Sequence, residues 1–321
     1  MKVKSVDQNH VLQLNETNIV EYTPFFYDDI QNILFLTAEF YNEINHTKCY
    51  DKLTSKFNCI VVNKLEKTYH KDNIDSSYWI IYRIYAEWYN ANYWLQCLDN
   101  SYGYIELDIS EIKILHLLTC HKDHNAKMNI IDESKICGDL IKKINIEINK
   151  INSSNGYFVK LSAQSPKHDF KVERQYTALD MIIYLTSSSV IQAILTRHED
   201  CGILIRPWFD NINEHNEMRV FVFNNNVVGI SQQMIYDYSI FKHYQNCADD
   251  IKNQIQNMWN QWKENKYIEY NNGVLDMWID GCGIVHLIEI NAGCNWGCTG
   301  SSLFTWKEIT ETHECVFACV S

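Results

Sequence analysis

The stretch LIEINAG, residues 287–293, ends an apolar strand with Glu289 and Asn291 two positions apart. In a strand, that spacing sends both side chains to the same face. Upstream, VLDMWIDGCGIVHLIEIN reads as a hairpin turning across Asp280-Gly281-Cys282-Gly283 and carrying Asp276 on its first arm. A two-residue loop at 281–282 would set Asp276 opposite Leu287, with Glu289 its diagonal neighbour on the same face. Diagonal neighbours lie about 7 Å apart, near enough for side chains to converge on one ion. Asp276, Glu289 and Asn291 then form an all-oxygen triad. Such a triad suits Mg²⁺, which takes one or two carboxylates and fills its shell with water and phosphate oxygens. The plainer alternative is the solvent side of an edge strand.

Arginines supply the opposite charge. Arg206 sits inside the apolar strand GILIRPW, and Glu217, Arg219 and Phe221 share one face of EMRVFVF. An Arg in such a strand requires an anion. That anion is either an internal carboxylate such as Glu217, or a phosphate, which the planar guanidinium fork matches well. Lys160 in YFVKLSA and Lys167 after Pro166 are further phosphate contacts or solvated lysines.

The elements that would position these residues are legible from residue 133 onward. ESKICGDLIKKINIEINKI predicts a helix with Ile136, Leu140, Ile144 and Ile148 as its apolar stripe and Ser134 as N-cap. YFVKLSA is a short strand, and TALDMIIYLTSSSVIQAIL is one or two helices with Thr177 and Ser188 or Ser189 as caps. GILIRPWF is a strand. EMRVFVFNNNVVGISQQ alternates on both sides of an Asn-rich turn and predicts a hairpin. DDIKNQIQNMWNQWKEN predicts a helix before the final hairpin. YWIIYRIYAEWYNANYWL fits either strand or helix. Helices and strands segregated in this way indicate an α+β fold rather than a doubly wound parallel sheet.

With 321 residues and 46% hydrophobic side chains, the chain can bury a substantial core. Its 28 basic and 40 acidic residues give a net charge of −12, which disfavours nucleic acid as a partner. The start, MKVKSVDQNHVLQLNET, lacks the apolar centre of a signal peptide, and no apolar run approaches a membrane span of roughly 18 residues. A cytoplasmic location without membrane attachment is expected. The twelve cysteines then read as buried thiols. The alternative is a four-thiolate zinc site from Cys294-x3-Cys298 and Cys315-x3-Cys319, against which stands the apolar character of ECVFACVS. GxxxxGK[ST], HExxH and Lys-x-Asp-Gly are absent, and GCGIVH is half a dinucleotide fingerprint in the wrong context, a hairpin turn.

FVKLSAQSPKHD, ILIRPWF, EMRVFVFNNNVVGISQ, VLDMWID and LIEINAG followed by SLFTW resemble, in order and spacing, the cell division cycle protein 123 family, a divergent branch of the ATP-grasp enzymes. The resemblance spans about residues 134–309. It implies two α+β lobes, about 134–205 and 206–321, with ATP and Mg²⁺ between antiparallel sheets. It also leaves an N-terminal α+β part, 1–133, to carry partner or acceptor specificity. By position, Lys160 and Lys167 would hold phosphates, with Ala163 and Ser165 in the loop between. Arg206, Trp208 and Phe209 would lie along the nucleotide, the last two near the adenine. Arg219 would face the phosphates, and Asp276, Glu289 and Asn291 would hold magnesium.

Four positions depart from the family pattern. Glu289 stands where Asp is common, Lys167 where Arg is frequent, Pro207 in place of a basic residue, and Gly300 in place of an acidic one. The first two keep their charge; the last two bear on partner binding. The resemblance implies an ATP-dependent assembly factor for translation initiation factor 2, acting through its γ subunit or a related partner. The alternative is an ATP-grasp ligase that activates a carboxylate as an acyl phosphate for attack by an amine or thiol. Neither reading assigns a catalytic residue.

Overall fold

The computed structural model describes residues 1–6, 91, 94–98, 101–163, 173–197, 201–213, 215–233, 241–268, 271–291, 303–304, 308–309 and 314–320. In chain order the elements are β1 (Lys2–Val6), β2 (Gly103–Leu107), α1 (Ile109–Cys120), α2 (His124–Glu133), α3 (Lys135–Ile151), β3 (Tyr157–Leu161), α4 (Ala178–Thr186), α5 (Ser189–Arg197) and β4 (Cys201–Pro207). They continue as β5 (Glu217–Phe223), β6 (Asn226–Gln232), α6 (Ala248–Glu264), β7 (Gly273–Ile279), β8 (Val285–Asn291) and β9 (Val316–Val320). The class is α+β, as the segregated pattern predicts. Two compact units share these elements: a contiguous one, Asn90–Ile212, and a discontinuous one, Met1–Tyr89 with Asn213–Ser321.

In the contiguous unit, an antiparallel sheet of order β2-β4-β3 packs one face against helices. Local signals start those helices. The Ser134 hydroxyl accepts from the Cys137 N–H at 3.3 Å, and Thr177 with Asp180 forms a reciprocal capping box. The stripe on α3 differs from expectation. Leu140 and Ile144 are buried, but Ile136 is exposed and Cys137 takes its place. Four-residue steps drift on a 3.6-residue helix, so Ile136 rotates off the face that Cys137, Leu140 and Ile144 hold. Along the strands, Tyr157, Val159, Leu161, Ile203 and Ile205 join the helix-packed core, while Lys160, Leu204 and Arg206 point to the opposite face.

The expected boundaries at 133/134 and 205/206 do not coincide with the division into units. Strand β2 pairs with β4 from Gly103↔Ile205 to Leu107↔Cys201, which ties 103–133 to this unit. Glu111 of α1 is also bonded to Lys143 of α3 at 2.8 Å. The second boundary would cut β4 itself. Among the described residues no single helix is long and apolar enough to cross a membrane. Helices α4 and α5 reach that length together, but they are bent by 84° and packed in this core. The stretch 78–95, which fits strand or helix, lies largely outside the described residues.

Gly202 of β4 gives a test of this packing. A Cβ there would lie 2.3 Å from the Tyr104 ring of β2. Gly202→Ala is therefore expected to cost about 2 kcal/mol through overpacking. Adding Tyr104→Ala should recover part of that loss. Paired denaturant titrations measure this, and strictly additive losses would show that the contact is unimportant.

The discontinuous unit holds a six-stranded sheet of order β1-β9-β6-β5-β7-β8. Asn224 and Asn225, with φ of 48° and 62°, form the two-residue turn of the β5–β6 hairpin. The buried residues Ile251, Ile255, Trp259 and Trp262 line one side of α6, which packs on β6 and β8. A Cβ on Gly273 would lie 3.3 Å from the Trp259 indole, so glycine lets the helix approach the sheet. The sheet is mixed, not purely antiparallel: β9 runs parallel to both β1 and β6. A strand reached by a long connection is free of the hairpin geometry that imposes antiparallel pairing.

Candidate functional site

The final hairpin brings the acidic pair closer than the sequence suggests. Asp280 and Gly283 close the turn, Gly283 adopts φ 81°, and Ile279 pairs with Val285. The register has thus slipped by one residue relative to a two-residue loop. A bulge between Asp276 and Met277 then slips it by one more, so that Asp276 lies directly opposite Glu289. A single slip would have sent Glu289 to the other face. Two slips restore the face and convert a diagonal neighbour into a direct one.

Asn291 completes the cluster. Its Nδ2 donates to Asp276 Oδ2 at 3.1 Å and to Glu289 Oε1 at 3.5 Å, so the amide spans both carboxylates. Rotating that amide about its last torsion would present Oδ1 instead. Two carboxylates and an amide oxygen on one strand face are hard donors of the kind a divalent cation takes, and the residues fit Mg²⁺. Among the described residues no group of three His, Cys, Asp or Glu side chains could hold a metal ion, so any site here depends on the asparagine.

On β5, Arg219 stands opposite Asp276 and binds it with two prongs, Nε to Oδ1 at 2.9 Å and Nη2 to Oδ2 at 3.1 Å. Both side chains are largely buried, at 12% and 8% exposure. Asp276 is thus an internal carboxylate partner of Arg219 that its strand spacing alone did not name. Burial works against the Arg219 charge, but Asp276, then Glu289 and Glu217, outweigh it and hold the guanidinium pKa above its usual range. The row Arg219–Asp276–Glu289 carries one positive and two negative charges. A bound divalent cation would turn its net charge from −1 to +1.

Ser231 of β6 extends this row beyond Arg219, a position the sequence did not single out. Its hydroxyl accepts from the Leu303 N–H at 3.3 Å, and the Phe304 ring packs edge-on against Phe221 at 5.6 Å. Leu303 and Phe304 therefore lie over the same face as the acidic pair. Counted from the two-residue Asn turn, the β5–β6 register would have set Arg219 opposite Ile230. A bulge between Phe221 and Val222 slips it by one and brings Ser231 there instead.

The remaining candidates belong to the contiguous unit. Lys160 pairs with Leu204 and Phe158 with Arg206, which makes Lys160 and Arg206 diagonal neighbours on the sheet face away from the helices. Both are buried, at 6% and 5% exposure. Ala163 packs against the core at the end of β3. Trp208 and Phe209, both half-buried, follow β4. Ser165 and Lys167 lie outside the described residues, as do Cys294, Cys298 and Gly300. Cys315 and Cys319 are buried, and burial pushes the Cys315 thiol up to about 12.

Fold and site together define an α+β protein with an arginine, two carboxylates and an amide in one row across its final strands. The pattern of the D123 family matches residues 138–317, more than half of the chain, and the chain belongs to that family. A translation initiation factor eIF2 assembly protein of Xenopus tropicalis is 32% identical over 111 residues, covering 33% of this chain and 30% of that protein. The chain thus matches less than a third of that relative's length. Cdc123 from Schizosaccharomyces pombe superposes with a TM-score of 0.57 at 15% identity, covering 74% of this chain and 97% of the other. A C-terminally truncated form of the same yeast protein gives 0.55 at 16%, covering 73% and 96%. At these identities the likeness establishes a shared fold.

Proposed function

We propose that the chain binds ATP with Mg²⁺ in a site of ATP-grasp type, and uses it as an assembly factor for translation initiation factor 2 in the cytoplasm. The observation that carries the nucleotide half is the row Arg219–Asp276–Glu289–Asn291, an oxygen-donor set beside a guanidinium fork. The partner half rests on family membership and on the similarity to an eIF2 assembly protein. In this proposal Asp276, Glu289 and Asn291 hold the ion, which neutralises phosphate charge when bound. Arg219 orients phosphate oxygens from the adjacent strand. Lys160, Lys167, Arg206, Trp208 and Phe209, with Ala163 and Ser165, take the nucleotide roles that the family resemblance assigns.

The test is equilibrium binding of ATP to the purified protein with Mg²⁺ and with EDTA, followed by capture of partners from cell extract with and without ATP. Magnesium-dependent saturation and ATP-dependent recovery of an initiation-factor subunit are expected. Saturation without such recovery, together with a covalently tagged acceptor, would replace assembly by ligation. No saturation would remove the nucleotide half.

Turnover gives a further prediction. ATP-grasp chemistry passes the phosphoryl group to a carboxylate, and an empty acceptor site leaves only water. Phosphate release by the protein alone should fall far below the roughly 1 per second of dedicated phosphoryl-transfer enzymes. Release at that rate, lost in Asp276→Ala, would make the protein an ATPase.

A further inference from the structure

We infer that Asp210 is a positioning residue for Trp208: it fixes the indole edge while Arg174 backs one face, leaving the other face to stack on the base of a nucleotide. This deepens the ATP-binding proposal and rests on it. Four groups meet at the end of β4. The Trp208 indole N–H donates to Asp210 Oδ1 at 3.1 Å, and Arg174 donates to the same oxygen. The Asn155 amide donates to Asp210 Oδ2 at 2.9 Å. The Arg174 guanidinium carbon lies 5.4 Å from the centre of the Trp208 ring, within cation–π range. Among the described residues no second ring stacks on that indole.

The backbone is arranged to allow this. Gly156 has φ 77°, and its carbonyl accepts from the Trp208 N–H at 2.9 Å. A Cβ on Gly156 would lie 2.8 Å from Arg174 Cγ and from the Gln175 carbonyl oxygen. Glycine therefore lets Arg174 come over the ring. Gln175, the next residue, is bridged to Tyr157 by two backbone hydrogen bonds of 2.8 and 2.9 Å, which anchors the segment to β3.

Stability alone does not explain the cluster. Asp210 and Arg174 are 55% and 32% exposed, and ion pairs at such exposure contribute little to folding. What the cluster does supply is orientation. An indole bonded at its edge and covered on one side has lost most of its rotamer freedom before any ligand arrives. A flat ligand that stacks on it avoids that ordering cost.

The experiment is a double-mutant cycle read by ATP affinity in Mg²⁺, with thermal melts to confirm folding. Asp210→Ala should weaken ATP about tenfold, somewhat more than a single hydrogen bond. Asp210→Asn, which keeps an acceptor for the indole, should weaken it less. On a Trp208→Phe background, which removes the indole N–H, Asp210→Ala should add almost nothing. In the unliganded protein, the Trp208 fluorescence contribution, taken as wild type minus Trp208→Phe, should shift in Asp210→Ala. Wild-type binding with unchanged affinity in Asp210→Ala, or with fully additive losses, would overturn the positioning role alone. Absence of wild-type binding would overturn the nucleotide proposal and this role with it.

Discussion

Replacing Asp276 and Glu289 together by alanine is expected to abolish magnesium-dependent ATP binding, a loss of more than about 100-fold. Even residues that merely support metal ligands are worth 10–100-fold in affinity, and here two of the three candidate ligands go. The variant has a built-in complication. Asp276 is gripped by Arg219 through two hydrogen bonds in a largely buried setting, and removing it strands the guanidinium. Breaking such a pair from one side costs about 3 kcal/mol or more of stability. The isosteric pair Asp276→Asn with Glu289→Gln, which keeps volume and some hydrogen bonding, should stay better folded and still lose metal-dependent binding. Calorimetric titration with Mg²⁺ and with EDTA, on material shown to be folded, settles the matter. Saturable binding indifferent to EDTA and to both double variants would remove the metal assignment.

The second large effect concerns the arginines. Arg219→Lys keeps a charge but cannot reproduce the fork on Asp276. Losing one of two hydrogen bonds to a charged partner costs about 1.5–3 kcal/mol, so the melting temperature should fall. If Arg219 also serves phosphate, ATP affinity per folded molecule should fall as well. Arg206→Lys separates the two roles differently, because Arg206 lies in the other unit, beside Lys160 on the sheet face away from the helices. There the proposal expects about a tenfold loss of ATP affinity, the size of one charge-assisted hydrogen bond. Lower melting temperatures with unchanged affinity in both variants would mark the arginines as structural.

Much of the candidate site was legible because strand alternation is a strict code. Glu289 and Asn291 share a face by spacing alone, as do Glu217, Arg219 and Phe221. The partner of Arg219 on β6 was not legible, because a bulge between Phe221 and Val222 moves it from Ile230 to Ser231. The separation of Asp276 from Glu289 was not legible. It depends on a left-handed Gly283 and on a bulge, and neither has a sequence signature as strong as alternation. The Asp210 cluster was hidden for another reason. Its members come from positions 155, 174, 208 and 210, and such long-range polar meetings leave no period to read. On the fold, helix caps at Ser134 and Thr177 were read correctly because capping is local chemistry. The pairing of β9 with β1 and β6 was not, because nothing local distinguishes a parallel interior strand from a short apolar segment.

That same β9 has a consequence for how the molecule is made. It lies inside the six-stranded sheet, between β6 and β1, and pairs Val316 with Lys2. During synthesis, β1 emerges first and waits for a neighbour made some 300 residues later. The contiguous unit, by contrast, has every strand of its sheet by residue 207. The order of events on the ribosome should then be inverted relative to sequence: the middle of the chain folds while its beginning is still unpaired. Contacts of such long range are slow to form, so the last step of folding should be the closure of this seam. A ribosome-bound chain arrested shortly after residue 300 should protect the middle from protease and leave residues 1–6 open to it.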